Sequence, residues 1–147
     1  MRLLYNLGIY IYGIGIISAA KLGNKKANTW VEGRRNWQSK LNNKNLKSKP
    51  IWFHTSSLGE YIMSKPLIDL TLKKYPEKEI ILTFFSPSGY ENVNLENTRI
   101  HKLYLPLDTK GNATEFVEKT NPSIAIFAKY DFGLTPLKRF RKKTFQL

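Results

Sequence analysis

Residues 51–60 read IWFHTSSLGE. Ile51 to Thr55 is a short apolar run of the kind that forms a buried strand. Ser56, Ser57 and Gly59 then supply a small polar turn, and Glu60 ends it with a carboxylate. A strand that stops at such a turn and passes into a helix is the building unit of α/β sheets. Ligands of open α/β sheets bind outside the carboxyl ends of strands, which puts Glu60 where chemistry is done. Taken by itself, Glu60 is also what a first helical turn favours, because a carboxylate complements the positive end of the helix dipole. The turn residues carry the same ambiguity. Their backbone N–H groups can hold an anionic group, or they simply bend the chain.

Downstream, strand and helix patterns alternate. Gly59 to Tyr75 has helical content, with Tyr61, Ile62, Met63, Leu67, Ile68, Leu70 and Leu72 forming a broad apolar face. Pro66 is best tolerated in a first turn, so this helix is expected to begin near Ser64 or to kink there. EIILTFF at 79–85 is a second strand, followed by a turn and a short helix in SPSGYENVNLEN. Ser86, Ser88 and Gly89 make a turn analogous to the first and are expected to line the same cleft. RIHKLYLP at 99–106 is a third strand, ended by Pro106; Thr109 to Thr120 reads as a helix with Phe116 and Val117 inward; SIAIFA at 123–128 is a fourth strand. This order predicts βαβ crossovers and a Rossmann-like parallel sheet over 51–132. His54, inside the first strand, reads as a hydrogen-bonded core histidine beside the site, and His101 as a strand residue.

Upstream the chain changes character. Leu3 to Ala20 holds no charge, with Arg2 before it and Lys21, Lys25 and Lys26 after it. A bilayer core asks for about 20 apolar residues, so this stretch is borderline for spanning. Asn6, Gly8, Gly13 and Gly15 weaken it, while Tyr5, Tyr10 and Tyr12 suit the interfacial zone. Residues 1–23 are read as a membrane-anchor segment, spanning or lying in the interface, with a cleaved signal peptide or a buried helix as alternatives. Residues 24–50 form a basic linker or collar containing Trp30 and Trp37. It suits either an anionic membrane surface or an exposed helix whose tryptophans close a small satellite cluster.

Charge is informative through its placement. The net charge of +13 resolves into +9 over residues 1–50, −1 over 51–132 and +5 over 133–147. A near-neutral centre between basic ends is not the footprint of a nucleic-acid-binding domain, whose charge lies on the folded face. Composition, 41% hydrophobic with 13% aromatics, excludes a disordered chain, and the absence of cysteine excludes disulfides. At 147 residues there is room for one domain with a core and not for two ordinary ones.

The order of these motifs resembles a known family. WFHTSSLGE, the Pro66-Leu67-Ile68 step, LTFFSPSGYE at 82–91, LYLPLD at 103–108 and NPSIAIFAKYDF at 121–132 resemble the start of the catalytic domain of 3-deoxy-D-manno-octulosonate (Kdo) transferases. The resemblance implies the N-terminal half of a GT-B inverting glycosyltransferase of lipopolysaccharide core synthesis. Two Rossmann-like domains would face each other, one taking a lipid A precursor and the other binding the donor CMP-Kdo, with no metal or other cofactor. It implies a location at the cytoplasmic face of the bacterial inner membrane. Carried over by residue, Glu60 is the catalytic carboxylate. Ser56, Ser57, Gly59, Ser86, Ser88, Gly89 and Asp131 become acceptor-side candidates, and Lys129 is basic where many relatives are acidic. Residues 133–147, GLTPLKRFRKKTFQL, are read as a departure from the family, a frameshift or truncation product that would leave the donor domain absent. A non-catalytic module binding an anionic lipid is the alternative function, and a nucleic-acid-binding protein the least favoured.

Overall fold

The computed structural model describes residues 2–47 and 49–128. Four strands, β1 (Ile51–Thr55), β2 (Ile80–Phe84), β3 (Ile100–Tyr104) and β4 (Ile124–Phe127), form one sheet in the order β3-β2-β1-β4. Every pairing is parallel, with Ile51 level with Ile80 and Ile124, and Ile80 level with Ile100. The expected Rossmann-like α/β architecture is what the chain adopts. Strand order reverses direction at β1, between β2 and β4, so the crevice at the carboxyl end of β1 is the topological switch point.

The helices are α1 (Arg2–Lys21), α2 (Lys25–Arg34), α3 (Trp37–Asn42), α4 (Leu58–Lys74), α5 (Pro87–Asn92) and α6 (Lys110–Thr120). Parallel strands covered on both faces must be apolar on both, and β1 and β2 are buried at every position. Alternate residues serve opposite layers. Trp52, Ile81 and Leu103 meet Trp37, Leu41, Phe116 and Val117 from α3 and α6 on one face. Phe53, Ile80, Leu82 and Phe84 meet Ile68 and Leu72 from α4 on the other.

Two features differ from the sequence expectation. Helix α4 starts at Leu58, not near Ser64, and carries Pro66 within it. Burial of Ile68, Thr71 and Leu72 on the sheet holds the helix together across the missing donor. Trp37 and Leu41 belong to the main core, not to a satellite cluster, because α3 packs on the same face as α6.

The N-terminal segment is helical, but no helix among the described residues is long and apolar enough to cross a membrane. The spanning form of the expected anchor is thereby corrected. Its glycines, Asn6 and the tyrosines dilute the apolar run. Instead α1 lies along α2 and reaches the carboxyl edge of the sheet. Gly13 is buried with its Cα face against Leu107, whose Cδ2 would stand 3.0 Å from an added Cβ. Tyr5 donates its hydroxyl to Asp108, and Tyr12 stacks on Phe85 at 6.1 Å between ring centroids. Leu4, Leu7, Ile11 and Ile14 form an exposed stripe away from this contact.

Candidate functional site

Strand β1 ends at Thr55, and α4 begins three residues later with Ser57 as its extended N-terminal flank. Glu60 therefore sits in the first turn, and it is largely buried, with 9% of its surface exposed. Its side chain turns back over the strand end, and Oε2 accepts the Ser56 backbone N–H at 2.5 Å. Oε1 has no hydrogen-bond partner among the described residues, which leaves one carboxylate oxygen for a ligand. A carboxylate held by a backbone donor and backed by a helix N-terminus is fixed in direction as well as in place.

Behind the turn stands a buried polar relay. Trp52 Nε1 donates to Thr83 Oγ1 at 2.8 Å, and the same hydroxyl lies 2.9 Å from His54 Nδ1. His54 Nε2 faces Ser56 Oγ at 3.4 Å. His54 is buried, flanked by the Phe127 ring at 5.5 Å between centroids. It reaches the site through Ser56, the residue whose N–H holds Glu60. His101 lies elsewhere, bonded to Glu79 at 2.9 Å near the amino ends of the strands.

The second turn meets the first. The backbone N–H of Ser86 donates to the Ser56 carbonyl at 2.8 Å. Ser86 caps α5 by accepting from the Ser88 N–H, and the two hydroxyls lie 2.8 Å apart. Gly89 is required by packing: a Cβ there would fall 2.4 Å from Phe84 Cδ1 and 3.1 Å from the Ser57 carbonyl carbon. Gly59 is the opposite case. It is exposed, and an added Cβ would meet nothing within 4 Å. The structure thus brings Ser56, Ser57, Gly59, Glu60, Ser86, Ser88 and Gly89 together. Asp131 and Lys129 lie outside the described residues, as does the 133–147 tail. No three His, Asp or Glu side chains among the described residues are placed to hold a metal ion.

Sequence reasoning passed over Arg34. Its guanidinium is buried 3.7 Å from the centroid of the Trp30 ring and 5.0 Å from those of Phe85 and Tyr104. It donates to the Phe85 carbonyl at 2.7 Å and to that of Trp30 at 3.2 Å, while Nε has no partner. Burial pushes its pKa down to about 9, against the smaller opposing pull of Tyr104 and Tyr12. Because Phe85 immediately precedes Ser86, Arg34 pins the start of the second turn. The i, i+4 spacing of Trp30 and Arg34 was the available signal.

The family described as 3-deoxy-D-manno-octulosonic-acid transferase (kdotransferase) matches residues 31–147. The chain belongs to the Kdo transferase family. The matched range includes residues 133–147, the stretch read above as a departure from that family. Among relatives, the 3-deoxy-D-manno-octulosonic acid transferase of Chlamydophila psittaci is 29% identical over 93 residues, 62% of this chain and 22% of the relative. That of Haemophilus influenzae is 32% identical over 77 residues, 52% of this chain and 18% of the relative. A bifunctional glycosyltransferase/methyltransferase of Fusobacterium nucleatum is 31% identical over 84 residues, covering 54% and 13%. The chain spans at most about a fifth of the length of these curated relatives. No solved structure matches it.

Proposed function

We propose that this Kdo transferase chain forms the acceptor side of an inverting glycosyltransferase, moving Kdo from CMP-Kdo to a lipid A precursor. The observation that carries the reading is the Glu60 carboxylate, anchored through Oε2 at the switch point with Oε1 unengaged. In the proposed step Oε1 takes the proton of the acceptor hydroxyl. The hydroxyl oxygen bonds to the anomeric carbon of Kdo from the face opposite the leaving group, and CMP departs with the electrons of the broken C–O bond. Positioned general-base catalysis of this kind contributes about 10²–10⁴-fold. Ser56, Ser57, Ser86 and Ser88 would orient the acceptor, and the bare backbone at Gly59 would leave it room to approach. Donor binding by a second domain follows the family pattern and is part of the proposal.

For membrane attachment the same reading assigns α1 to the interface. Its exposed Leu4, Leu7, Ile11 and Ile14 would enter the acyl boundary while the opposite face stays on the protein. Such a placement would set the acceptor cleft at the cytoplasmic surface of the inner membrane.

The test is transfer of Kdo from CMP-Kdo to a lipid A precursor, with the protein that carries this chain, comparing wild type with Glu60→Gln. The amide still accepts the Ser56 N–H, so folding and acceptor binding should persist while transfer falls by about 10²–10⁴-fold. Full transfer by Glu60→Gln would sink the assignment. Lipid binding with no transfer even in wild type would leave an anionic-lipid module instead.

A further inference from the structure

Beside the outer edge of β3 lies a pocket of about 320 Å³ that shares no residue with the Glu60 turn. Trp37, Tyr90 and Tyr104 line it, the two tyrosine rings stacking at 4.1 Å between centroids. Lys40, Lys44 and Lys102 also line it, and no Asp or Glu among the described residues does.

Each ammonium has N–H donors to spare. Lys102 Nζ donates to the Tyr90 and Val93 carbonyls at 2.6 and 2.7 Å, which uses two of its three. Lys40 Nζ likewise donates to the Glu32 and Gly33 carbonyls at 3.1 and 2.9 Å. Lys44 makes no side-chain hydrogen bond or ion pair among the described residues. The charges also repel. Burial lowers the Lys102 pKa, Glu91 opposes it, and Lys44 adds a smaller lowering. Glu91 itself is engaged by the Tyr104 hydroxyl at 3.0 Å.

Three lysines with unused donors around one pocket, an aromatic wall, and a nearby carboxylate, Glu91, already engaged by Tyr104 are the recognition chemistry of a small polyanion on a compact body. We propose that the Lys40–Lys44–Lys102 pocket is a phosphomonoester-binding site, distinct from the acceptor turn and independent of the transfer reaction. The phosphate accepts one N–H from each lysine, and the group that carries it rests on Trp37 and the tyrosine pair. The phosphomonoester comes either from a soluble metabolite or from a lipid headgroup.

Calorimetric titration of the 147-residue chain with inorganic phosphate tests the site, with vesicles containing phosphatidic acid or an equal charge of phosphatidylglycerol as second and third probes. Saturable phosphate binding is expected, weakened about tenfold in Lys44→Ala by loss of one charge-assisted hydrogen bond, and unchanged in the control Lys26→Ala. Preference for phosphatidic acid over phosphatidylglycerol that Lys44→Ala abolishes assigns the headgroup source; phosphate binding without that preference assigns the soluble one. No saturable binding by a natively folded chain to either phosphate or phosphatidic acid overturns the proposal. So does equal weakening by Lys44→Ala and Lys26→Ala, which would mark general charge attraction. Lys44 is partly exposed and makes no internal bond, so its replacement leaves the fold intact.

Discussion

The backbone N–H of Ser86 lies 2.8 Å from the carbonyl oxygen of Ser56 and donates to it. Thirty residues apart in sequence, the two turns at the carboxyl ends of β1 and β2 are thus one structural piece. The Ser56 peptide carries the joint, since its N–H holds Glu60 and its C=O holds Ser86. Displacing the second turn therefore displaces the carboxylate.

Gly89→Ala should act on this joint. Its Cβ would overlap Phe84 and press on the Ser57 backbone, so a loss of about 1–3 kcal/mol is expected from overpacking. Gly59→Ala, with open space above it, should leave stability within about 0.5 kcal/mol of wild type. Urea unfolding of both variants checks the contrast, and equal effects would refute it.

Arg34→Ala should cost about 2–4 kcal/mol. It empties the space between Trp30, Phe85 and Tyr104 and takes the Arg34 donor from the partly buried Phe85 carbonyl. Arg34→Lys keeps the charge but not the planar fork, and should recover only part of the loss. Hydrogen exchange at Ser86 and Ser88 is expected to rise in both, more in the alanine variant.

Tyr104 makes stability depend on alkaline pH. Burial first, then its hydrogen bond to Glu91, raises its pKa above the usual tyrosine value. An unfolded tyrosine ionises near about pH 10, so above that the folded chain binds more protons than the unfolded one and stability falls as pH rises. Below about pH 10 Tyr104→Phe should be less stable by about 1 kcal/mol, for the lost hydrogen bond, and the gap should close at higher pH. Unfolding midpoints of the two proteins across this range give the answer; a gap that widens has the wrong sign.

Leu7→Glu with Ile11→Glu probes the free face of α1. Both side chains are more than half exposed, at 55% and 60%, so folding stability should change by less than about 0.5 kcal/mol. Binding to anionic vesicles should fall at least about tenfold, since two apolar anchors are lost and two negative charges added. Cosedimentation at constant salt measures it.

Much of the fold was legible because it rests on local pattern. Apolar runs bounded by turns marked all four strands within a residue or two, most plainly β1 and β2, which are buried at every position and so must be apolar on both faces. The SSLGE and SPSG turns announced themselves by the same logic, and Glu60 by its position after the strand. Helix α4 begins at Leu58 and not near Ser64, one of the two outcomes expected from the low helix propensity of Pro66. The sheet contact of Ile68 and Leu72 outweighs that local penalty. Arg34 was missed because its meaning lies in three rings from distant parts of the chain, of which only Trp30 is a sequence neighbour.

By itself the sequence determined the class of fold, the order of its elements, the carboxylate at the end of the first strand and the family to which the chain belongs. The first three follow from periodicity and spacing along the backbone; the family rests on the resemblance of its motifs and on the match over residues 31–147. Only the tertiary structure decided that Trp37 joins the main core, that the N-terminal helix lies against the sheet edge, and that Ser56 ties Glu60 to Ser86. It alone gathered Lys40, Lys44 and Lys102 around one pocket. Contacts between residues far apart in the chain depend on which faces pack together, and that is settled by burying apolar area in three dimensions, not by any local preference.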